Sequence, residues 1–294
     1  MKIIDCVTYF DEPMLFELRK NILDKYVDIF LVIEAKYTHS GKKKKLNFNI
    51  NNYLDIKNKI IYLVIDNEPD DLILGENLSS SQKRINSLKR INQSYDKALD
   101  YLKICSPNDI FILSDIDEIP NLEKLNIKDI NSKIILFKQK MFYYKFNLYY
   151  DLIPWFGSKA CKIKNLTSPS FLRYSKSKRY PAWRIDTWFS NVKHRSIQIV
   201  EDGGWHFTNI KSVEKILEKY LNFGHHNEFE DNQIGIEDIR KMVFEKRVGY
   251  NHLADQRNPK KISHNSYKLK KISIDQLPKE ISTQKEKYKE FIEE

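Results

Sequence analysis

Cysteine is sparse in this chain. Cys6, Cys105 and Cys161 are odd in number, far apart and set among apolar residues. That excludes a disulfide framework and a cysteine metal site, and leaves three reduced packing residues of the kind expected in a cytoplasmic protein. Glycine is also thin, with 8 residues in 294 against heavy use of Lys, Asn and Ile, a bias that points to skewed codon usage. No apolar run approaches the roughly 20 residues of a membrane-spanning helix. The opening MKIIDCVTYFDEP carries acids at positions 5, 11 and 12, so no signal-peptide core fits it. There are no internal repeats and no recognised nucleic-acid motif, so nucleic acid is not an expected partner.

What is present suits a large folded unit. Hydrophobic residues make up 41% of the chain and aromatics 13%, enough to bury a sizeable core and to exclude a disordered chain. The formal net charge of +10 favours a phosphorylated or polyanionic partner and is compatible with peripheral attachment to a membrane, although most of the lysines read as solvated surface.

The apolar pattern predicts strands at 2–10, 29–34, 60–65 and 110–113. The last three are continuous apolar runs, as in a parallel sheet covered on both faces. Leu15, Leu18, Ile22 and Tyr26 repeat at helical spacing after Pro13, and Leu88, Ile91, Tyr95, Leu99 and Leu102 make one stripe of a long helix over 81–104. Strand, helix, strand, strand, helix, strand is the opening half of an open α/β sheet. Such sheets bind ligands beyond the carboxyl ends of their strands. After Pro120 the segments 134–138 and 141–150 read as strands added antiparallel, and 211–223 and 234–247 as helices. The expected organisation is one domain over 1–254, with a nucleotide-binding half (1–120) and an acceptor half (121–254). A polar tail over 255–294 with a short packed helix completes it.

ILSDIDEIP (112–120) sets Asp115, Asp117 and Glu118 at one of those carboxyl ends. In an extended segment residues two apart project to the same side, so Asp115 and Asp117 can direct oxygens at one point. Hard cations such as Mg²⁺ or Mn²⁺ take carboxylate oxygens together with phosphate oxygens of a substrate. The plainer reading makes Asp115 a turn residue and Glu118 a surface acid.

A resemblance spread along the chain extends this. DCVTYFDE (5–12), ELRKNIL (17–23), VDIFLVIEAKYTHSGKKK (27–44), QKRIN (82–86), LSDIDEIP (113–120), GGWHFTN (203–209) and LPKEISTQKEKYKEFI (277–292) together resemble glycosyltransferase family 17. The resemblance implies a nucleotide-sugar-binding fold of the GT-A type and inverting transfer from UDP-N-acetylglucosamine to a glycan acceptor, with dependence on Mn²⁺ (or Mg²⁺). On that basis Asp115, Asp117 and His206 are the expected metal contacts, with Ile116 between the two acids. Thr8, Tyr9, Phe10, Glu34, Arg84 and Arg90 are the expected nucleotide contacts. Gly203 and Gly204 are expected to let the backbone approach a ligand.

Inverting transfer needs a general base outside the metal site. Glu228 in HHNEFED (225–231) is the first candidate, with Asp186 and Asp202 as rivals. Trp155, Trp183, Trp188 and Trp205 are candidates to stack on acceptor sugars, against their ordinary use as core material. Two other functions use similar residues: an inactive sugar- or nucleotide-binding protein of the same fold, and a metal-dependent nucleotidyl or phosphoryl transferase.

Overall fold

The computed structural model of the chain describes residues 1–126, 130–181, 183–223, 229, 232–250, 252 and 267–294. Its first part runs β1 (Ile3–Tyr9), α1 (Pro13–Leu23), β2 (Ile29–Ala35), β3 (Ile60–Ile65), α2 (Ser80–Asp96), α3 (Leu99–Leu102) and β4 (Ile110–Asp115). Pro13 opens α1, where its missing N–H costs nothing. A capping box between Ser79 and Gln82 opens α2. The continuous apolar runs have the cause expected of them. Ile3 and Val7 of β1 pack with Leu15, Leu18 and Ile22 of α1, while Ile4 and Cys6 pack with Tyr95, Ala98 and Leu102 on the other face. The three cysteines are free thiols, two buried and Cys105 half-buried.

The second part contributes β5 (Glu118–Pro120), β6 (Ile134–Phe137), β7 (Gln139–Tyr143), β8 (Leu148–Trp155), β9 (Lys159–Lys162), α4 (Pro169–Tyr174), β10 (Ile197–Val200), β11 (Gly204–Thr208), α5 (Val213–Asn222), α6 (Ile236–Phe244), β12 (Lys270–Lys271) and α7 (Lys279–Ser282). A seven-stranded sheet has the order β3-β2-β1-β4-β9-β6-β10, and a five-stranded sheet the order β12-β8-β7-β11-β5. In the first, β1, β2, β3 and β4 pair parallel, as do β6 and β10, and β9 runs antiparallel between β4 and β6. The molecule is a mixed α/β structure with a mostly parallel sheet flanked by helices. That sheet takes strands from both sides of residue 120. Leu277, Ile281 and Tyr288 of the tail are buried in the same core cluster as β1 and α1.

Three local expectations are corrected. The helix expected over 81–104 is two helices, because the chain turns at Lys97 and Ala98 before the stripe resumes. The strand expected over 141–150 belongs to two antiparallel strands, β7 and β8, joined by a turn in which Tyr144 takes a φ of 65°. The side-chain alternation changes phase across that turn, with Met141 and Tyr143 before it and Leu148 and Tyr150 after it in the same apolar cluster. The segment 115–117 is not extended throughout: β4 ends at Asp115, Ile116 and Asp117 form a turn, and the Asp115 N–H donates to the Glu118 carboxylate at 2.9 Å.

Two features of the topology set the site. The chain leaves β1 toward β2 on one side and returns as β4 on the other, so the switch point of the sheet lies between β1 and β4. Thr8 is there in register with Asp115. The turn at 116–117 then carries the chain from the first sheet into the second, where Glu118 pairs in register with His206 of β11. The acids therefore sit at the seam of the two sheets. Among the described residues no helix is long and apolar enough to cross a membrane.

Candidate active site

A cavity of ≈ 490 Å³ opens at this seam, lined by the ends of β1 and β4, by α2, α4 and α5, and by the second sheet. The three acids form its floor, each held by a basic group from a distant element. Arg173 of α4 donates from Nη2 to Asp115 Oδ2 at 2.6 Å and from Nη1 to Glu118 Oε2 at 2.6 Å. Tyr95 of α2 donates to Asp115 Oδ1 at 3.0 Å. Lys219 of α5 donates to Asp117 Oδ2 at 3.0 Å, and His206 Nε2 stands 3.5 Å from Asp117 Oδ1.

Glu118 is fully buried and takes a further bond from the Trp155 indole N–H at 2.7 Å. Its backbone carbonyl accepts from Arg19 at 2.5 Å, and Arg19 is itself bound in two-pronged fashion to Asp5 beneath the floor. Both members of that deeper pair are wholly inaccessible. Glu118 thus serves the turn and the floor, and Asp115 and Asp117 face the cavity. A Cβ at Gly157 would lie 2.1 Å from the Glu118 carboxylate, so the absence of a side chain there is what admits the Glu118–Trp155 bond.

Charge state follows from these partners. Desolvation, together with the neighbouring Glu118 and Asp117, pushes Asp115 up to about 6 against the opposing pull of Arg173. Burial would raise Asp117 as well, but Lys219 and then His206 hold it well below the usual carboxylate range. Arg173 brings Glu118 down in the same way. Lys219 is raised by Asp117 and Glu12 in spite of its burial. At neutral pH the floor holds three carboxylates and two cations, and its electrostatics are nearly balanced inside the protein.

A second face of the cavity is aromatic. Tyr143 of β7, Trp155 of β8, Tyr220 and Phe223 of α5 and its end, and Phe229 all line it. Tyr220 and Phe229 stack with ring centroids 3.9 Å apart, and Trp155 stacks on His206 at 4.7 Å. Flat apolar faces beside polar tips suit a sugar ring, whose carbon face stacks while its hydroxyls hydrogen-bond.

Of the residues expected from sequence, Thr8, Tyr9, Phe10, Arg84, Asp115, Ile116, Asp117, Trp155 and His206 line this one cavity. Several others do not. Glu34 is buried, and its oxygens accept from Lys44, from the backbone of Asn47 and Phe48, and from Tyr62, so it pins the 44–48 loop. Arg90 is bound to Glu68. Trp205 points away from His206, as strand alternation requires, and packs on the core. Trp183 and Trp188 are exposed at 74% and 70%.

Asp186 is an exposed acid tied to Arg184 and Lys193, which hold it below its ordinary range. Asp202 lies in an exposed turn, 3.9 Å from Lys140. Glu228 lies outside the described residues. Gly203 and Gly204 do not line the cavity. A Cβ on Gly204, at φ +128°, would meet the Ile119 carbonyl at 2.1 Å, and one on Gly203 the Val200 carbonyl at 2.6 Å, so both glycines serve packing of β11 against its neighbours.

Arg173 and Lys219 are absent from the sequence-based set. Nothing local marks Arg173 in SPSFLRYS. Lys219 carried a faint signal, a lysine beside Tyr220 on the apolar stripe of an amphipathic helix.

Asp115 and Asp117 carry the carboxylate oxygens that hard divalent cations take, and His206 stands beside Asp117. His206 Nδ1 is buried without a hydrogen-bond partner. Among the described residues no group of three or more His, Cys, Asp and Glu side chains could hold a metal ion by itself. A cation here would need further ligands from a substrate, as where a diphosphate completes the shell.

The model of glycosyltransferase family 17 matches residues 1–292. No curated protein matches the chain. Among solved structures, HddC from Yersinia pseudotuberculosis is 10% identical, with a TM-score of 0.35, over 70% of this chain and 91% of that one. The same protein complexed with GMP-PN is 10% identical, with a TM-score of 0.31, over 68% and 90%.

Proposed function

The chain belongs to glycosyltransferase family 17, and from that premise we propose that it moves N-acetylglucosamine from UDP to a glycan hydroxyl, with inversion, on a GT-A type fold. The observation that carries this reading is the cavity at the sheet's switch point, with a charged floor on one side and an aromatic face on the other. The charged side suits the donor: Arg173, Lys219 and Arg84 are cations for a diphosphate, and Thr8, Tyr9 and Phe10 end the strand beside which a nucleotide would lie. The aromatic side suits the acceptor.

Asp115, Asp117 and His206 would hold Mn²⁺ or Mg²⁺. When bound, that ion would neutralise the charge that develops on the departing nucleoside diphosphate. Arg173 and Lys219 hold the acids ionised and fixed, so little reorganisation is needed when the donor arrives. Glu228 is our candidate for the base that takes the hydroxyl proton. Phe229, the residue after it, lines the aromatic face, whereas Asp186 and Asp202 do not line the cavity.

The test is UDP release from a panel of UDP-sugars with and without Mn²⁺, with thermal stability followed in parallel. UDP and Mn²⁺ together are expected to raise the melting temperature, and UDP-N-acetylglucosamine to be turned over once an acceptor is supplied. Absence of stabilisation by any nucleotide sugar would overturn the reading.

A further inference from the structure

Residues 176–181 and 183–195, between α4 and β10, belong to a loop closed by the Lys176 N–H donating to the Val192 carbonyl at 2.8 Å. The loop is well held from within. Thr187 is buried, donates to the Arg184 carbonyl at 2.6 Å and accepts from Arg195 at 3.0 Å. Ser190 accepts from the backbone of Val192 and Lys193. A turn of 3₁₀ helix covers Ile185–Thr187.

In spite of that order its large apolar side chains face out: Trp183 is 74% exposed, Ile185 70%, Trp188 70% and Phe189 85%. Single exposed apolar residues are ordinary, but four within seven positions of a structured loop form a patch. The same segment carries six cations, Lys176, Lys178, Arg179, Arg184, Lys193 and Arg195, and one acid, Asp186, which is paired with Arg184 and Lys193. Guanidinium groups are held against the rings, Arg195 at 4.8 Å from the Trp188 centroid and Arg184 at 5.5 Å from that of Tyr180.

We propose that this loop docks the protein on an anionic lipid surface, seating Trp183, Ile185, Trp188 and Phe189 in the headgroup region while the cations of the same segment meet lipid phosphates. The pairing of interfacial aromatics with Lys and Arg is the chemistry by which a protein lies on a membrane without crossing it. The charge selects the occupant. A second copy presenting the same patch would set two cation-rich segments against each other. A neutral glycan has no use for them. The loop begins two residues after Tyr174 of α4, and Tyr174 and Arg173 both line the cavity, so docking would bring the site close to the surface and to any acceptor anchored there.

The experiment is co-sedimentation of the full chain with vesicles of phosphatidylglycerol and phosphatidylcholine in equal parts and with phosphatidylcholine alone, read also by tryptophan emission. The protein is expected to partition onto the anionic vesicles, with a blue shift from Trp183 and Trp188, and to leave them as salt is raised. Replacing Trp188→Ser together with Phe189→Ser should lower partitioning by at least about tenfold. Lys178→Glu with Arg179→Glu should lower it on the anionic vesicles with the melting temperature unchanged, since these side chains are exposed. No binding of the unaltered protein to anionic vesicles would overturn the proposal. So would equal binding by the Trp188→Ser, Phe189→Ser variant, or a stable dimer that this variant dissociates, because the patch would then be an interface between copies.

Discussion

The floor of the cavity and its aromatic face are put together by different physics. On the floor, Asp115, Asp117 and Glu118 are stable only because Arg173 and Lys219 stand within hydrogen-bonding distance, and removing any one partner strands a charge in a place of low polarity. On the aromatic face, Tyr143, Tyr220, Phe223 and Phe229 belong to the same apolar cluster that packs α5 and α6 on the second sheet, and each ring is at once core and lining. The floor is therefore a place where substitutions act on stability and chemistry together. The aromatic face is one where trimming a ring costs packing and contact area but strands no charge.

The largest effect should come from the floor itself. Asp115→Asn with Asp117→Asn is expected to lower turnover about a thousandfold, the scale seen when charge stabilisation is removed from a polar site. The same variant should lose stabilisation by UDP with Mn²⁺. Thermal shifts that survive it would contradict the assignment of these two carboxylates.

Next in size is Arg173→Met, which leaves Asp115 and Glu118 without their cation. A loss of about 3–5 kcal/mol in folding stability is expected from denaturant titration. Adding Glu118→Gln to that variant should recover part of the loss, because one stranded charge is removed with it. If the pair of changes is as unstable as Arg173→Met alone, the charge argument fails and Arg173 matters for its packing.

On the other face, Phe223→Ala should raise the acceptor KM roughly tenfold, the value of about one ring contact. The donor KM should hold steady. Equal changes in both would erase the distinction between the two faces, since a donor effect would mean that the ring lies under the nucleotide.

Much of the floor was legible because its parts lie where sequence pattern is strong. Continuous apolar runs marked β2, β3 and β4, and the acids follow β4 directly, so strand direction alone placed them at a ligand-binding edge. What sequence could not show is what neutralises them. Arg173 is 58 residues from Asp115, and Lys219 is 102 from Asp117. No spacing rule joins such pairs. The turn at Ile116–Asp117 was hidden for the same reason: it is held by Glu118 reaching back to the Asp115 N–H, and Glu118 is itself fixed by Arg173 and Trp155. Trp183 and Trp188 stand exposed outside the cavity, and residue type alone suits a tryptophan equally to a sugar cleft and to an exposed loop.

The smallest effect concerns the support behind the floor. Lys159 of β9 is buried and donates to the carbonyls of Arg173 at 2.5 Å and Ser175 at 2.7 Å, at the end of α4. Desolvation, reinforced by the charge of Arg173, lowers it to about 7 from 10.5. A lysine lowered on folding binds its proton more weakly in the native state than in the unfolded chain, so stability must rise with pH between those two values. His194, lowered to about 4 by desolvation, is past its own transition there, and Asp115, near 6, has largely ionised. Between pH 7 and 9 the native protein should therefore gain about 1–2 kcal/mol relative to a Lys159→Met variant measured in the same buffers. Parallel curves for the two proteins would show that Lys159 keeps its ordinary affinity for the proton. The carbonyls of Arg173 and Ser175 would then be enough to hold the charge that α4 encloses.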